Sequence, residues 1–136
     1  MRIWQNLIIG AAGGLLYVCV ELLYRGRSHL SMFLVGGVCF WAIGMLDRAV
    51  PGMPLLLQAL TGAALITALE LGSGLIVNVR LGLHVWDYSS CPMNYMGQIC
   101  LPYSLLWIPL SLTAVFADDA LRRLLFHQTP PGYRWI

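Results

Sequence analysis

A chain of 136 residues that is 59% apolar and only 10% charged cannot cover a water-facing surface, since soluble domains run at about 25% charged. That excludes an ordinary soluble domain and makes lipid the solvent for much of the chain. All eight basic residues are Arg, the net charge is only +2, and no basic run interleaves with aromatics, so a nucleic-acid partner is excluded as well.

A helix needs about 20 apolar residues to cross the hydrocarbon core, and four segments are read as spans. The first, residues 6–24, is interrupted only by Glu21. It follows Met1-Arg2 as a signal peptide would, but no small-x-small site leads into a soluble domain, so it reads as a retained helix. Arg25-Gly26-Arg27-Ser28-His29 then makes a tight polar loop, with Ser28 placed to cap the next helix. The second span, residues 30–46, is short but uncharged. Residues 47–54 form a turn, and Pro54 suits a helix start.

The third span, residues 55–79, is long enough to tilt and contains Glu70 and Asn78. Overlapping its end, a connection over 72–97 holds Arg80, His84, Trp86, Asp87, Tyr88, Ser89 and Asn94 among many apolar residues. Loops of this length are often functional. Leu81, Leu83, Val85 and Trp86 need cover from protein or the interface, so the loop is expected to be ordered and to lie over a polar site. Cys91 and Cys100 flank part of it and would pair only in an oxidising compartment. The fourth span, residues 99–117, carries Pro102 and Pro109, and a kink is expected. Residues 1–117 thus form the membrane domain. Residues 118–136 read as a short cytoplasmic interfacial tail, in which Asp118-Asp119 followed by Arg122-Arg123 complements a helix dipole.

Gly13, Leu16 and Glu21 recur as Gly62, Leu65 and Glu70, at a constant offset of 49 residues (21 to 70). A duplicated two-helix unit would explain this, and because two spans separate the copies the repeat would be parallel. An intramembrane carboxylate costs roughly 3 kcal/mol on insertion scales, so it rarely persists without a partner or a task. Both glutamates would sit towards one membrane face and shift each other's titration. That suits a proton relay, a cation site or acid–base chemistry. Pairing with Arg25, Arg27 or Arg80 would instead lock helices together, and the two roles are compatible. His29 and His84 lie on the same side. Asp87 needs Arg80 or the Ser89 or Ser90 amide as a partner.

No H-E-x-x-H, C-x-x-C, P-loop, G-x-S-x-G or G-x-G-x-x-G occurs, so no metal and no cofactor is expected, and ATP energy would have to come from another chain. The candidate polar cluster is Glu21, Arg25, Arg27, His29, Glu70, Asn78, Arg80, His84, Trp86, Asp87, Tyr88 and Asn94. Gly10, Gly13 and Gly14, with Gly36 and Gly37, allow close helix approach. Arg2, Arg48, Arg122, Arg123 and Arg134 on one side, against Arg25, Arg27 and Arg80 on the other, favour an N-in, C-in orientation in the plasma (inner) membrane.

Several motifs also carry a family resemblance: Tyr17-x-x-x-Glu21, the run from Arg25 to Phe33 with Gly36-Gly37, and Glu70-Leu71-x-x-Gly74. To these add Leu83-x-Val85-Trp86-Asp87-Tyr88-Ser89 with Asn94 and Gly97-Gln98-Ile99-Cys100. On these the chain resembles the CmpB-like ABC-transporter type IV family of small membrane permeases. The resemblance implies transport with a separate ATPase subunit. Four helices are few for such a permease unless it forms a homo-oligomer.

The expected fold is all-α and integral to the membrane: a four-transmembrane-helix bundle, read as a parallel 2+2 repeat, with a long ordered loop between helices 3 and 4. Membrane lipids are its surroundings. The leading function is translocation of a small solute or ion through a polar site built on the two glutamates. The alternative is an intramembrane enzyme acting on a lipid or isoprenoid substrate at one interface. The third is a non-catalytic scaffold. A polar path to both faces marks the first, a closed polar pocket beside an apolar groove marks the second, and neither marks the third.

Overall fold

The computed structural model describes residues 3–26, 29–128 and 133, with the side chains of Arg25 and Asp47 outside that description. Expectations placed on Arg2, Arg27, Ser28, Arg134 and the Arg25 side chain therefore lie outside the described residues. Helix α1 covers Ile3–Arg25 and α2 covers Leu30–Gly44. The cap of α2 is His29, whose Nδ1 accepts from the Ser31 amide at 3.1 Å. A single turn, α3 (Leu46–Ala49), leads to α4 (Leu55–Gly74), with Pro54 as the residue before its first turn.

Helix α4 does not stop at Gly72. It continues into a π-helical turn, Leu75–Arg80, where Leu81 N–H reaches back to the Ile76 carbonyl at 2.9 Å. Such wide turns often occur at functional sites. Here the turn carries Asn78 inwards, at 8% exposure. The connection is correspondingly shorter than the expected 72–97 and ends in a small antiparallel hairpin, β1 (Asn94–Tyr95) with β2 (Ile99–Cys100). Helix α5 then runs unbroken over Leu101–Phe126, with Pro102 in its first turn and Pro109 inside it. The helix expected to begin a separate tail after Ala117 is the last part of this one element.

The protein is mainly helical, and among the described residues three helices are long and apolar enough to cross a membrane: Ile3–Tyr24, Leu55–Arg80 and Leu101–Phe126. Helix α2, with 15 residues, is shorter. It is also the hub. Helix α1 packs chiefly on α2, α4 packs chiefly on α5, and α2 touches both α4 and α5. Buried Cys39, Ile43, Leu55, Ile66 and Val115 knit α2, α4 and α5 into one core.

Glycine sets the α1–α2 distance. A Cβ on Gly37 would come within 2.5 Å of the Gly10 carbonyl oxygen, and one on Gly14 within 2.6 Å of the Phe33 carbonyl. Small residues let two backbones meet where lipid offers helices no hydrophobic reason to associate.

Candidate functional site

The third span delivers Glu70 to the centre of the site, at 3% exposure. Its two oxygens take different partners. Tyr88 Oη donates to Oε2 at 3.0 Å, and Trp107 Nε1 donates to Oε1 at 2.7 Å. Three elements converge there: α4 brings the acid, the connecting loop brings Tyr88 and α5 brings Trp107. Both donors are neutral. Among the described residues no Arg or His forms an ion pair with Glu70.

Glu21 is also buried and acts electrostatically on Glu70. Tyr17, one turn earlier on α1, feels both carboxylates and packs with Met32, Val85, Trp86 and Tyr88. Arg80 is exposed at the end of the π turn, and no ion pair joins it to either glutamate.

An aromatic wall stands beside Glu70. Tyr88 stacks on Tyr103 with centroids 4.9 Å apart and planes 14° apart, and Trp107 follows Tyr103 at 6.3 Å and 37°. The Tyr103 hydroxyl lies 3.3 Å from that of Tyr24. Burial, and then the Glu70 carboxylate, push the Tyr88 phenol far above its ordinary value, so it remains a donor.

A buried amide pair fixes the loop. Asn78 Nδ2 donates to Gln98 Oε1 at 2.8 Å, while Asn78 Oδ1 accepts from the Val85 amide at 2.7 Å. Trp86 Nε1 donates to the Gln98 carbonyl at 3.0 Å, and the Tyr88 amide donates to the Gly97 carbonyl at 2.7 Å. Val85 and Trp86 are buried. Gly97 has φ +72°, and a Cβ there would approach Asp87 Oδ1 to 2.9 Å. Gly74 is just as confined, with Gln98 Oε1 at 2.5 Å from its missing Cβ.

The other expected site residues are more peripheral. Asp87 is exposed, not enclosed, and its Oδ1 accepts from the Ser89 hydroxyl at 2.6 Å and amide at 2.9 Å. The Ser89 hydroxyl, and then its amide, hold the Asp87 carboxyl below the usual carboxylate range. Asn94 ties the turn by donating to the Cys91 carbonyl at 2.9 Å and accepting from the Gly97 amide at 3.1 Å. His84 is exposed with φ +51°, and His29 is occupied with Ser31. Among the described residues no three His, Cys, Asp or Glu side chains gather as metal ligands, and Cys91 and Cys100 are free thiols.

Trp107 and Tyr103 were not among the expected site residues. A usable signal existed, because an indole N–H deep in an apolar helix needs an acceptor. A second buried cluster at the opposite end of the bundle was also unexpected. Asp118 and Arg122 are 0% and 1% exposed, and Arg122 Nε reaches both Asp118 oxygens at 3.1 Å. Arg48 Nη1 stands 3.7 Å from Asp118 Oδ2 and donates to the Gly44 carbonyl at 2.9 Å. Tyr133 Oη donates to Asp119 Oδ2 at 2.6 Å. The i, i+4 spacing of Asp118 and Arg122 was legible, but it reads equally well as an exposed helix surface.

No curated protein and no solved structure gives a significant match to the chain. Residues 6–136 match the model of a family described as "Putative ABC-transporter type IV". That match spans nearly the whole sequence and includes every residue of both buried clusters. The chain therefore belongs to this ABC-transporter type IV (CmpB) family of membrane proteins.

Proposed function

We propose that this protein is a permease-type membrane subunit that moves a small cation or cationic solute by way of Glu70, with Glu21 as its electrostatic partner. The observation that carries this reading is a buried carboxylate whose hydrogen-bond donors are both neutral. A buried charge needs compensation. Where no basic side chain among the described residues supplies it, a transported cation or proton is the simplest counter-charge, and one that can leave again.

Beyond Glu70 the seam between α4 and α5 is closely packed but carries further polar groups. Buried Ser111 faces Gly62, Gln58 is 3% exposed, and the Asp118 cluster follows at the other end. The enzyme reading is less well supported. One open apolar groove of about 370 Å³, lined by Leu7, Gly10, Phe33, Gly37 and Trp41 among others, sits on the half of α1 remote from Glu21, and another of about 370 Å³, lined by Thr67, Leu71 and Ser104 among others, is a shallow surface of α4 and α5.

In this reading α2 completes a fourth crossing. At about 22 Å it is short for the hydrocarbon core, but its central position lets the longer helices shield it. Four crossings put both termini on one side, and the Arg bias makes that side cytoplasmic. Glu21 and Glu70 then face the outer half. The α1–α2 and α4–α5 pairings fit a parallel 2+2 repeat. A separate ATPase and self-association complete the proposed assembly.

Uptake into proteoliposomes tests the reading. Wild-type chain, with its ATPase partner where that is required, should catalyse cation or proton uptake that Glu70→Gln abolishes. Equal uptake by wild type and variant would refute the role of Glu70.

A further inference from the structure

The chemistry around Glu70 says more about what it would hold. Inorganic cations are bound by oxygen lone pairs from carboxylates, carbonyls and water. The two groups that contact the Glu70 oxygens are instead an indole N–H, which has no lone pair to give, and a single neutral phenol, so beyond the carboxylate they offer an inorganic cation at most one oxygen. What surrounds the carboxylate is π surface. Trp107, Tyr103 and Tyr88 form a continuous run of rings, with successive centroids 6.3 and 4.9 Å apart. From the α1 side Tyr17 packs on the same buried Met32, Val85 and Trp86 cluster that Tyr88 packs on.

Ring faces attract a cation lying within about 6 Å of their centroids, and they favour diffuse, weakly hydrated charges such as alkylammonium groups. Interfacial belts also concentrate Tyr and Trp, but belt residues turn their polar tips to water. Here the Tyr88 and Trp107 tips turn to one buried carboxylate, and the Tyr103 tip turns to Tyr24.

We propose that the Glu70 site binds a monovalent organic ammonium ion, with the Glu70 carboxylate as counter-charge and the faces of Tyr17, Tyr88, Tyr103 and Trp107 as its walls. This rests on the reading of Glu70 as the exchange site and names the class of cargo. Three of the four walls stand on spanning helices, and Tyr88 stands on the loop. Lifting Tyr88 off Tyr103 opens a ring face next to Glu70 without unpacking a span. In this proposal the Tyr88 side chain is the door, closed when stacked on Tyr103, while Asn78, Gln98 and Trp86 keep the rest of the loop anchored. Gly74 and Gly97 let the loop sit close to the site, since a side chain at either would strike Gln98 or Asp87.

Isothermal titration of the purified full-length chain with tetramethylammonium chloride, and with NaCl and KCl at matched ionic strength, tests this. Tetramethylammonium should bind at least about tenfold more tightly than Na⁺ or K⁺, the scale expected of one or two ring faces. Tyr103→Phe keeps a face and should keep the preference, whereas Tyr103→Leu should reduce it several-fold. Equal affinities for all three cations in the wild type, or an undiminished preference in Tyr103→Leu, would overturn the proposal. Glu70-dependent uptake without tetramethylammonium binding would overturn this inference and leave the permease reading standing. Uptake that survives Glu70→Gln would remove the permease reading itself.

Discussion

The bundle buries an acid at each end and treats the two in opposite ways. Asp118 lies against Arg122 at 3.1 Å and Arg48 at 3.7 Å, so its charge is compensated inside the protein. Glu70 is nearly as buried but is held by a phenol and an indole. A compensated pair in a dry interior is a fastener, since removing one partner strands the other's charge. A carboxylate held only by neutral donors keeps its affinity for a cation. Burial alone therefore does not separate structural from functional acids here. In the proposed reading the charge of the partners does.

Breaking the fastener should have the largest effect. Arg122→Leu leaves Asp118 buried with only Arg48 nearby, and should destabilise the detergent-solubilised protein by about 3–5 kcal/mol, read as a lowered thermal midpoint. A wild-type midpoint would mean that the pair is not a fastener. Gly44→Ala comes next. Its Cβ would run into the Asp118 carboxylate, and overpacking of this kind costs about 1–3 kcal/mol. Chemical denaturation should report that loss, and an unchanged midpoint would show that α2 can yield at Gly44.

At the other end, Trp107→Phe removes one donor to Glu70 while keeping a ring. A hydrogen bond to a charged group contributes about 1.5–3 kcal/mol, so cation binding should change, in affinity or in pH dependence, while folding is largely retained. Identical binding in the variant would exclude Trp107 from the site.

The smallest effect belongs to Asp87. Ser89 lowers its carboxyl in the folded loop. The stabilisation it gives is therefore complete above the ordinary carboxylate value of about 3.9, and is lost as pH falls through the lower folded value. Asp87→Asn should flatten that acid-side change in loop protection, measured by hydrogen exchange at Ser89. The same acid-side loss in both proteins would assign it to another group.

Much of this was legible in the chain, for physical reasons. Apolar length exposed the long helices, and the cost of a carboxylate in lipid singled out Glu21 and Glu70 before any geometry was known. Of the four loop residues expected to need cover, Val85 and Trp86 are buried, whereas Leu81 and Leu83 are exposed. Asp87 was legible in part: the Ser89 amide serves it as expected, but the carboxylate is exposed next to buried Trp86 instead of enclosed. Arg80 was one of three candidate counter-ions, with Arg25 and Arg27, and the π turn that carries Asn78 inwards leaves Arg80 at its outer end. From the sequence, Asp118 and Arg122 only complement a helix dipole in an interfacial tail, because nothing in their own segment reveals the space opposite Gly44 on α2. Partners distant in sequence decide these cases, and a single sequence does not record them.

The most direct measurement compares Glu70→Gln with Asp118→Asn on matched preparations, recording thermal midpoint and cation uptake for each. The expected result is that Glu70→Gln stays within about 1 kcal/mol of wild type, since a neutral isostere relieves a buried charge, and takes up no cation. Asp118→Asn should lose several kcal/mol of stability, about 3–5 when a buried pair loses a partner, while its folded fraction still transports. The contrary pattern, in which Glu70→Gln unfolds and Asp118→Asn is stable but inactive, would exchange the roles of the two ends.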